Sequence, residues 1–464
     1  MDISSKSAAK AANENPWYCL ATLYGEPSDD SPDLRSKNRV AWNRWIATAL
    51  SDKRRAALLE DGFPTLELAP LTAEEQKEFC DAFAIRTGGS NSLPPRPSEP
   101  YDFRVTHFKC EVDFSGYLFE QHADFTFSQI DSQINFSRAR FCSSVSFSKS
   151  IFYAVHDAYF DEASFYGVAS FEETQFGLVF FRRAKFLGEV KFYSARFMVR
   201  ADFAGTTFSD IADFSSAQFN VKGPIRHNFE SYYGDAQLSS KDEPSRNAKF
   251  SLERGVIATF RGAHFRKNAN FVKATFDCVA DFREAMFDRD ADFSSIVVRH
   301  DAFFGATFKS NVYFISAHFR CAYFVNANFG AITRFDKAIF AYDVPDFRGA
   351  KMHDATEWHG VSWPKPPLND EQHAQYQVYT YERLKQEMER LKKHEDEQFF
   401  FCKELRARRG LFHVLSGAWI INFLYQILSN YGSSIRRPIL WIIATFAAGF
   451  FFFIRTYKYS TGGI

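Results

Sequence analysis

Apolar positions in the middle of the chain follow a rhythm that neither an α-helix nor an ordinary strand produces. Phe197, Phe203, Phe208, Phe214 and Phe219 are separated by 6, 5, 6 and 5 residues. Phe260, Phe265, Phe271, Phe276, Phe282, Phe287 and Phe293 follow at steps of 5, 6, 5, 6, 5 and 6. The earlier run Phe103, Phe108, Phe114, Phe119, Phe125 and the later run Phe308, Phe314, Phe319 repeat the alternation. Such steps fit neither the helical turn nor the heptad, and a period-two strand would place apolar residues more densely. Two residues before each phenylalanine the side chain is usually small, as at Ala201, Ala212, Ala263, Ala269, Ala280 and Ala291. In extended backbone those two positions share a side, so both face inward, while the residue between them (Asp202, Asp213, Asp281, Asp292) faces out. A short extended side, a corner and another side satisfy the pattern. Four sides, with one extra residue at every second corner, make a coil of about 22 residues, and coils stacked roughly 4.8 Å apart align like residues in columns.

The small–polar–Phe unit, seen as Ala-Asp-Phe at 201–203, 212–214, 280–282 and 291–293, resembles the pentapeptide-repeat family across residues 101–352. The resemblance implies a mainly β chain whose centre is a right-handed quadrilateral β-solenoid with 5+6 alternation. The twelve phenylalanines from Phe197 to Phe293 would form its internal ladder, and about ten coils would span on the order of 50 Å. Two features interrupt the rhythm: a step of eight from Phe152 to Phe160, and an insertion at 221–257 rich in Gly, Pro, Ser and charge that reads as a loop.

On the N-terminal side, residues 1–35 are polar and predicted to be loose. Residues 36–100 are predicted to form a small helical cap and linker. Val40, Ile46, Leu50 and Leu58 are its candidate inner positions, and a second helix starts at Thr72 with Glu75 completing a capping box. A solenoid end exposes unpaired backbone, which such a unit would cover. On the other side, 353–368, with Trp358, Trp363 and a Pro-Lys-Pro-Pro run, closes the repeat. Residues 369–410 read as one long charged helix, with Tyr381, Leu384, Met388 and Leu391 on a seam offering self-association through 376–405 or docking along the solenoid.

The stretch 411–430 reads as an amphipathic helix lying in a membrane interface, its apolar run broken by His413, Asn422 and Gln426. A second, poorer span is the alternative there. Residues 437–455 are predicted to cross the bilayer: no charge occurs from Pro438 through Trp441 and Phe450 to Ile454. Arg436 and Arg437 precede the span. With no apolar N-terminal leader, they place the bulk of the chain in the cytoplasm as a single-pass inner-membrane protein. The tail, from Tyr381 through the run Ser429 to Trp441, resembles that of membrane-anchored bacterial pentapeptide-repeat proteins, in longer examples of which a two-span, channel-like module follows. Only one clear span occurs here, so channel activity is not expected.

Charge narrows the picture further. Lys+Arg and Asp+Glu both number 56. That balance excludes a surface shaped wholly for nucleic acid. It also argues against mimicry of DNA toward a topoisomerase, which the resemblance raises. The seven cysteines are scattered without a CxxC pair, as in a reduced compartment. His107 with Cys110, and His353 with His359, have the spacing of half a metal site without a second half. No catalytic set, metal site or cofactor motif is read. The function expected is a membrane-anchored scaffold presenting a rigid cytoplasmic surface to a protein the sequence does not name, with self-association through 376–405 and the membrane helix. The alternatives are an oligomeric membrane effector or channel-like regulator, a DNA mimic, or an enzyme centred on the insertion.

Overall fold

The computed structural model describes residues 9–26, 32–89, 93–153, 156–219, 257–366 and 370–461. The chain divides into two compact units, residues 1–339 with 349–362, and 340–348 with 363–464.

The first unit is a parallel β-solenoid. Its first face runs from Tyr101 to Thr356, with Tyr101 beside Ala123, then Val145, Ala169, Val190, Ala212, Ala269, Ala291, Val312, Thr333 and Thr356. Coils therefore repeat every 22, 22, 24, 21 and 22 residues before the insertion, and every 22, 21, 21 and 23 after it. In the first coil the other three faces start at Thr106–Phe108, Val112–Asp113 and Leu118–Phe119. The second and third merge in places into strands that run round the corner, such as Gln175–Phe180 and Val297–Phe303.

The five-residue steps cross tight turns. After the first and third faces a residue takes a left-handed conformation, as at Phe127 (φ 60°) and Arg138 (φ 60°), and the turn closes with Ser128 N–H donating to Phe125 O and Ala139 N–H to Phe136 O. A non-glycine residue there costs on the order of 1 kcal/mol, which the closing hydrogen bond and the stacked coils offset. The six-residue steps cross the other two corners, which are looser bends holding the extra residue. The insertion leaves from one of these corners, after Phe219. Apart from Ile257, which opens the returning strand Ile257–Thr259, it lies outside the described residues.

Inside, the rings stack face to face. Phe103, Phe125, Phe147, Phe171, Phe192 and Phe214 form one column, with centroids 4.5 to 5.2 Å apart and planes within 11°. Across the insertion the columns resume in register: Phe203 stacks on Phe260, Phe208 on Phe265, Phe214 on Phe271 and Phe219 on Phe276, at 4.3 to 4.9 Å. Phe197 continues the Phe219 and Phe276 column, Phe282 follows Phe260, Phe287 follows Phe265, and Phe293 follows Phe271. Opposed columns meet edge to face, as Phe271 does with Phe282 at 5.3 Å and 90°. These rings are fully buried. Trp358 belongs here too, stacking on Phe335 at 4.6 Å.

The outward aspartates and asparagines do more than meet solvent. Asp124, Asn135, Asp213, Asn270 and Asp292 each accept the N–H two residues on, at 2.8 to 3.0 Å, bridging the backbone across the intervening phenylalanine. This local Asx turn fixes the chain at the entrance to the corner.

The open end of the first coil is covered by four helices, α1 (Pro16–Ala21), α2 (Pro32–Ala47), α3 (Asp52–Glu60) and α4 (Ala73–Arg86). Residues 9–26 are not loose, contrary to the expectation from their polarity. Lys10–Ala11 add a parallel strand beside Thr106 and His107, and Trp17 through Ala21 are buried. The unpaired edge of the sheet supplies the backbone partners and Tyr101 the apolar surface. The single helical run expected after residue 36 is also split, because Ser51 caps the start of α3. Ile46 and Leu58 are buried as expected, together with Trp42, Asn43 and Ala47, whereas Val40 and Leu50 are half-buried. Asn43 accepts Leu118 N–H at 2.8 Å and donates to Gly116 O at 3.1 Å, and Trp42 Nε1 donates to Leu118 O at 2.9 Å. These side chains stand in for the missing preceding coil. Thr72 and Glu75 form the capping box of α4, and Arg44 beside Glu75 holds that carboxyl down at about 2.

The second unit contains α5 (Glu371–Arg390), α6 (His394–Arg408), α7 (Gly417–Ser429) and α8 (Arg436–Thr461). The single helix expected over 369–410 is a hairpin. Lys392 takes a left-handed conformation (φ 58°), Lys393 N–H donates back to Met388 O, and Glu395, Asp396 and Glu397 open the next helix, where acidic groups suit its N-terminal dipole. Of the seam residues, Tyr381, Leu384 and Met388 are buried within the hairpin, as are Phe400 and Ala407, while Leu391 is half-buried. Glu404 ties it with Lys385 and Arg408, each at 2.7 Å. Trp363 packs edge-on against Phe400 at 5.2 Å.

Phe271→Ala should remove a ring sandwiched between Phe214 and Phe293 and destabilise the solenoid by about 3–5 kcal/mol in chemical denaturation. Phe271→Leu should cost less. A Cβ at Gly188 would lie 2.5 Å from Gly167 O, so Gly188→Ala should lower the denaturation midpoint, whereas the chemically identical change at exposed Gly449, with open space around it, should not.

Candidate functional site

Much of the solenoid's surface charge is already paired. Arg104 neutralises Asp102, Arg200 neutralises Asp202 and Arg283 neutralises Asp281, at 2.8 to 3.0 Å, and Asp202 and Asp281, expected to meet solvent, are buried. Aromatic side chains also appear outside the tube. On the third face Tyr159 stacks on Phe180 with Arg182 4.9 Å from the ring, and Phe303 stacks on Tyr323 with Arg283 at 5.0 Å. Phe127, Tyr153 and Tyr193 are exposed. Aromatic rings and arginines on a rigid surface are the residue types that anchor protein interfaces.

Some of the described histidines bridge successive coils. His107 pairs with Asp131 and His264 with Asp288, each one coil apart, at 2.6 and 2.7 Å. His353 pairs with its neighbour Asp354 at 2.9 Å. His359 lies with Asp336 and Glu357, three groups close enough to share an ion. However, Arg334 reaches both carboxylates, donating to Asp336 at 2.8 Å and lying 3.1 Å from Glu357, so one of their two charges is already met. Burial pushes the thiols of Cys142 and Cys278 up to about 12, far from the thiolate that nucleophilic chemistry needs.

The C-terminal helices form a different kind of surface. The polar residues that interrupt the apolar run at 411–430 are what hold α7 to the hairpin. Asn422 donates to Leu405 O at 3.0 Å and accepts from Tyr431, while Gln426 accepts from Arg409 at 2.6 Å. The guanidinium of Arg409 lies 5.8 Å from the Trp419 ring and 5.5 Å from the Phe423 ring. Ile421, Leu424 and Leu428 are left exposed on the other side. In α8, residues Arg436–Thr456 are long and apolar enough to cross a membrane, and none of that window is buried. Trp441, Phe450 and Ile454 are exposed there, and Pro438 sits in its first turn. Arg436 is exposed, while Arg437 donates to Gln426 O at 2.9 Å and so ties the start of α8 to α7. The residues that build this arrangement, Arg409 and the Asn430–Gly432 turn, carried little signal in the sequence beyond the Asn-Tyr-Gly turn itself.

Four-sided coils, parallel ladders and an aromatic core define a repeat solenoid, a structural scaffold suited to protein interaction. Residues 155–196, 177–218 and 257–297 match the family described as Pentapeptide repeats (9 copies). The solenoid is thus built of pentapeptide repeats. Comparison with curated proteins and with solved structures returned no match.

Thiol labelling at pH 8 should modify exposed Cys110 and leave Cys142 and Cys278 unreacted until denaturant is added. Labelling of Cys142 in the folded protein would mean that the N-terminal helices do not shield it.

Proposed function

We propose that the chain is a membrane-anchored scaffold whose solenoid presents a rigid protein-binding surface on the cytoplasmic side of a bacterial inner membrane. The observation that carries this reading is the wholly uncovered apolar stretch of α8 next to the uncovered apolar face of α7. Water is a poor solvent for both, and a bilayer accepts a span of this length together with a helix lying at its surface. Arg436 and Arg437 at the start of the span supply the charge bias for a cytoplasmic N-terminal side. A solenoid whose core is a continuous column of rings has little freedom to bend, so its outward aromatic and arginine side chains are held at fixed spacing for a protein partner. Paired surface charge supports a protein rather than a nucleic acid as that partner. Since the hairpin consumes the seam of 376–405, self-association falls to the membrane helix.

The full chain should remain in the pellet after alkaline carbonate extraction of membranes, and the same chain ending before Arg436 should be released. Release of the full chain would overturn the anchor. Ile421→Asp with Leu424→Asp, at exposed positions, should leave the melting temperature of the solenoid unchanged and weaken binding of the shortened chain to lipid vesicles.

A further inference from the structure

Between α6 and the turn that joins α7 to α8 lies a pocket of about 300 Å³ whose lining includes Phe399, Lys403, Arg406, Asn430 and Ser433. The turn is rigid. Asn430, Tyr431 and Gly432 all take left-handed conformations, with φ of 49°, 57° and 82°. Tyr431 is buried and hydrogen-bonds Asn422 at 2.9 Å, and Asn430 donates to Ser433 at 2.6 Å.

Two cations share this pocket. Lys403 stands 5.4 Å from the Phe399 ring and has no carboxylate within ion-pair distance among the described residues. Arg406 spends one terminal nitrogen on Asn430 Oδ1 at 2.8 Å, but its Nε–H is buried without an acceptor. Elsewhere in the hairpin the neighbouring cations are paired, Lys385 and Arg408 both with Glu404. The acid on this pocket's wall, Glu395, is exposed and lies eleven residues before Arg406, about 16 Å along the helix. Burial and the adjacent Arg406 push the Lys403 amine down to about 8, a sign that its surroundings lack negative charge. An ammonium and a guanidinium with an unsatisfied N–H, lining one small space, match the acceptor oxygens of a phosphate.

We propose that this pocket binds the phosphate group of an anionic phospholipid headgroup. The proposal rests on the membrane-anchor reading, because Ser433 is three residues before α8 and headgroups lie at the ends of a span. An anion here would satisfy Arg406 Nε, pair Lys403 and lock the turn from which the span starts.

The test uses the full chain in an uncharged detergent, with dioctanoyl phosphatidylglycerol, dioctanoyl phosphatidylcholine and inorganic phosphate as probes, read by native mass spectrometry and calorimetry. One phosphatidylglycerol should bind per chain, about tenfold more tightly than phosphatidylcholine, and Lys403→Ala or Arg406→Gln should each weaken it about tenfold. Lys403→Arg should retain binding, and unchanged helical circular dichroism and melting of the C-terminal helices would show that the variants fold. Equal affinity for the two lipids, or no effect of either substitution, overturns the site. Inorganic phosphate binding at the same residues with phosphatidylglycerol excluded overturns the lipid as its source. Carbonate extraction of the same preparation separates the two readings: a retained chain with no lipid preference loses only the pocket, whereas a released chain loses the anchor.

Discussion

The solenoid rests on a coincidence of two lengths. Parallel strands repeat about every 4.8 Å, and aromatic rings stack with their centroids close to that distance. A phenylalanine at the centre of each side therefore meets its counterpart one coil away at 4.3 to 5.4 Å without bending the backbone. The second dimension is filled by edge-to-face contacts between opposed columns, the arrangement that aromatic quadrupoles prefer. Alanine two residues earlier leaves room for these rings. The same geometry tolerates variation in coil length, since an added residue at a loose corner does not shift the columns. That is why the chain can leave after Phe219 and rejoin at Phe260 with every column intact.

A stack of identical coils has a problem only at its ends, where N–H and C=O groups have no neighbour. At the N-terminal end the solution is chemical as well as steric. The Asn43 amide supplies both a donor and an acceptor to Gly116 and Leu118, and is itself held by Glu67 at 2.6 Å. Trp17 and Trp42 extend the aromatic column beyond Tyr101. The helices thus continue both the hydrogen bonding and the ring packing of a coil that is not there.

The C-terminal helices obey the opposite logic. Asn422, Gln426 and Arg409 consume the polar face of α7 in contacts with the hairpin and leave its apolar face outward, while α8 has no cover at all. A soluble protein hides such surface. Here the polar contacts fix the orientation of the two apolar elements relative to each other, and the Asn430–Gly432 turn sets the point from which α8 departs.

The repeat was legible in the sequence because one residue type performs one task at a fixed interval. Period and burial face follow directly from where phenylalanine and alanine stand. The capping box at Thr72 and Glu75 was equally legible, being a local hydrogen-bonding pattern. What lay beyond the sequence depends on partners distant along the chain. Residues 9–26 look loose by composition and are ordered by an edge strand and by Tyr101, which lies some eighty residues away in the chain. The break at Lys392 carries no glycine or proline to announce it, and only the return of α6 against Tyr381, Leu384 and Met388 makes a left-handed lysine worthwhile. Asn43, Arg406 and Lys403 read as ordinary polar residues of charged helices. Their roles arise where the tertiary structure brings unmatched backbone or another cation beside them, because a hydrogen bond or a charge acquires its value from the surroundings and not from its own identity.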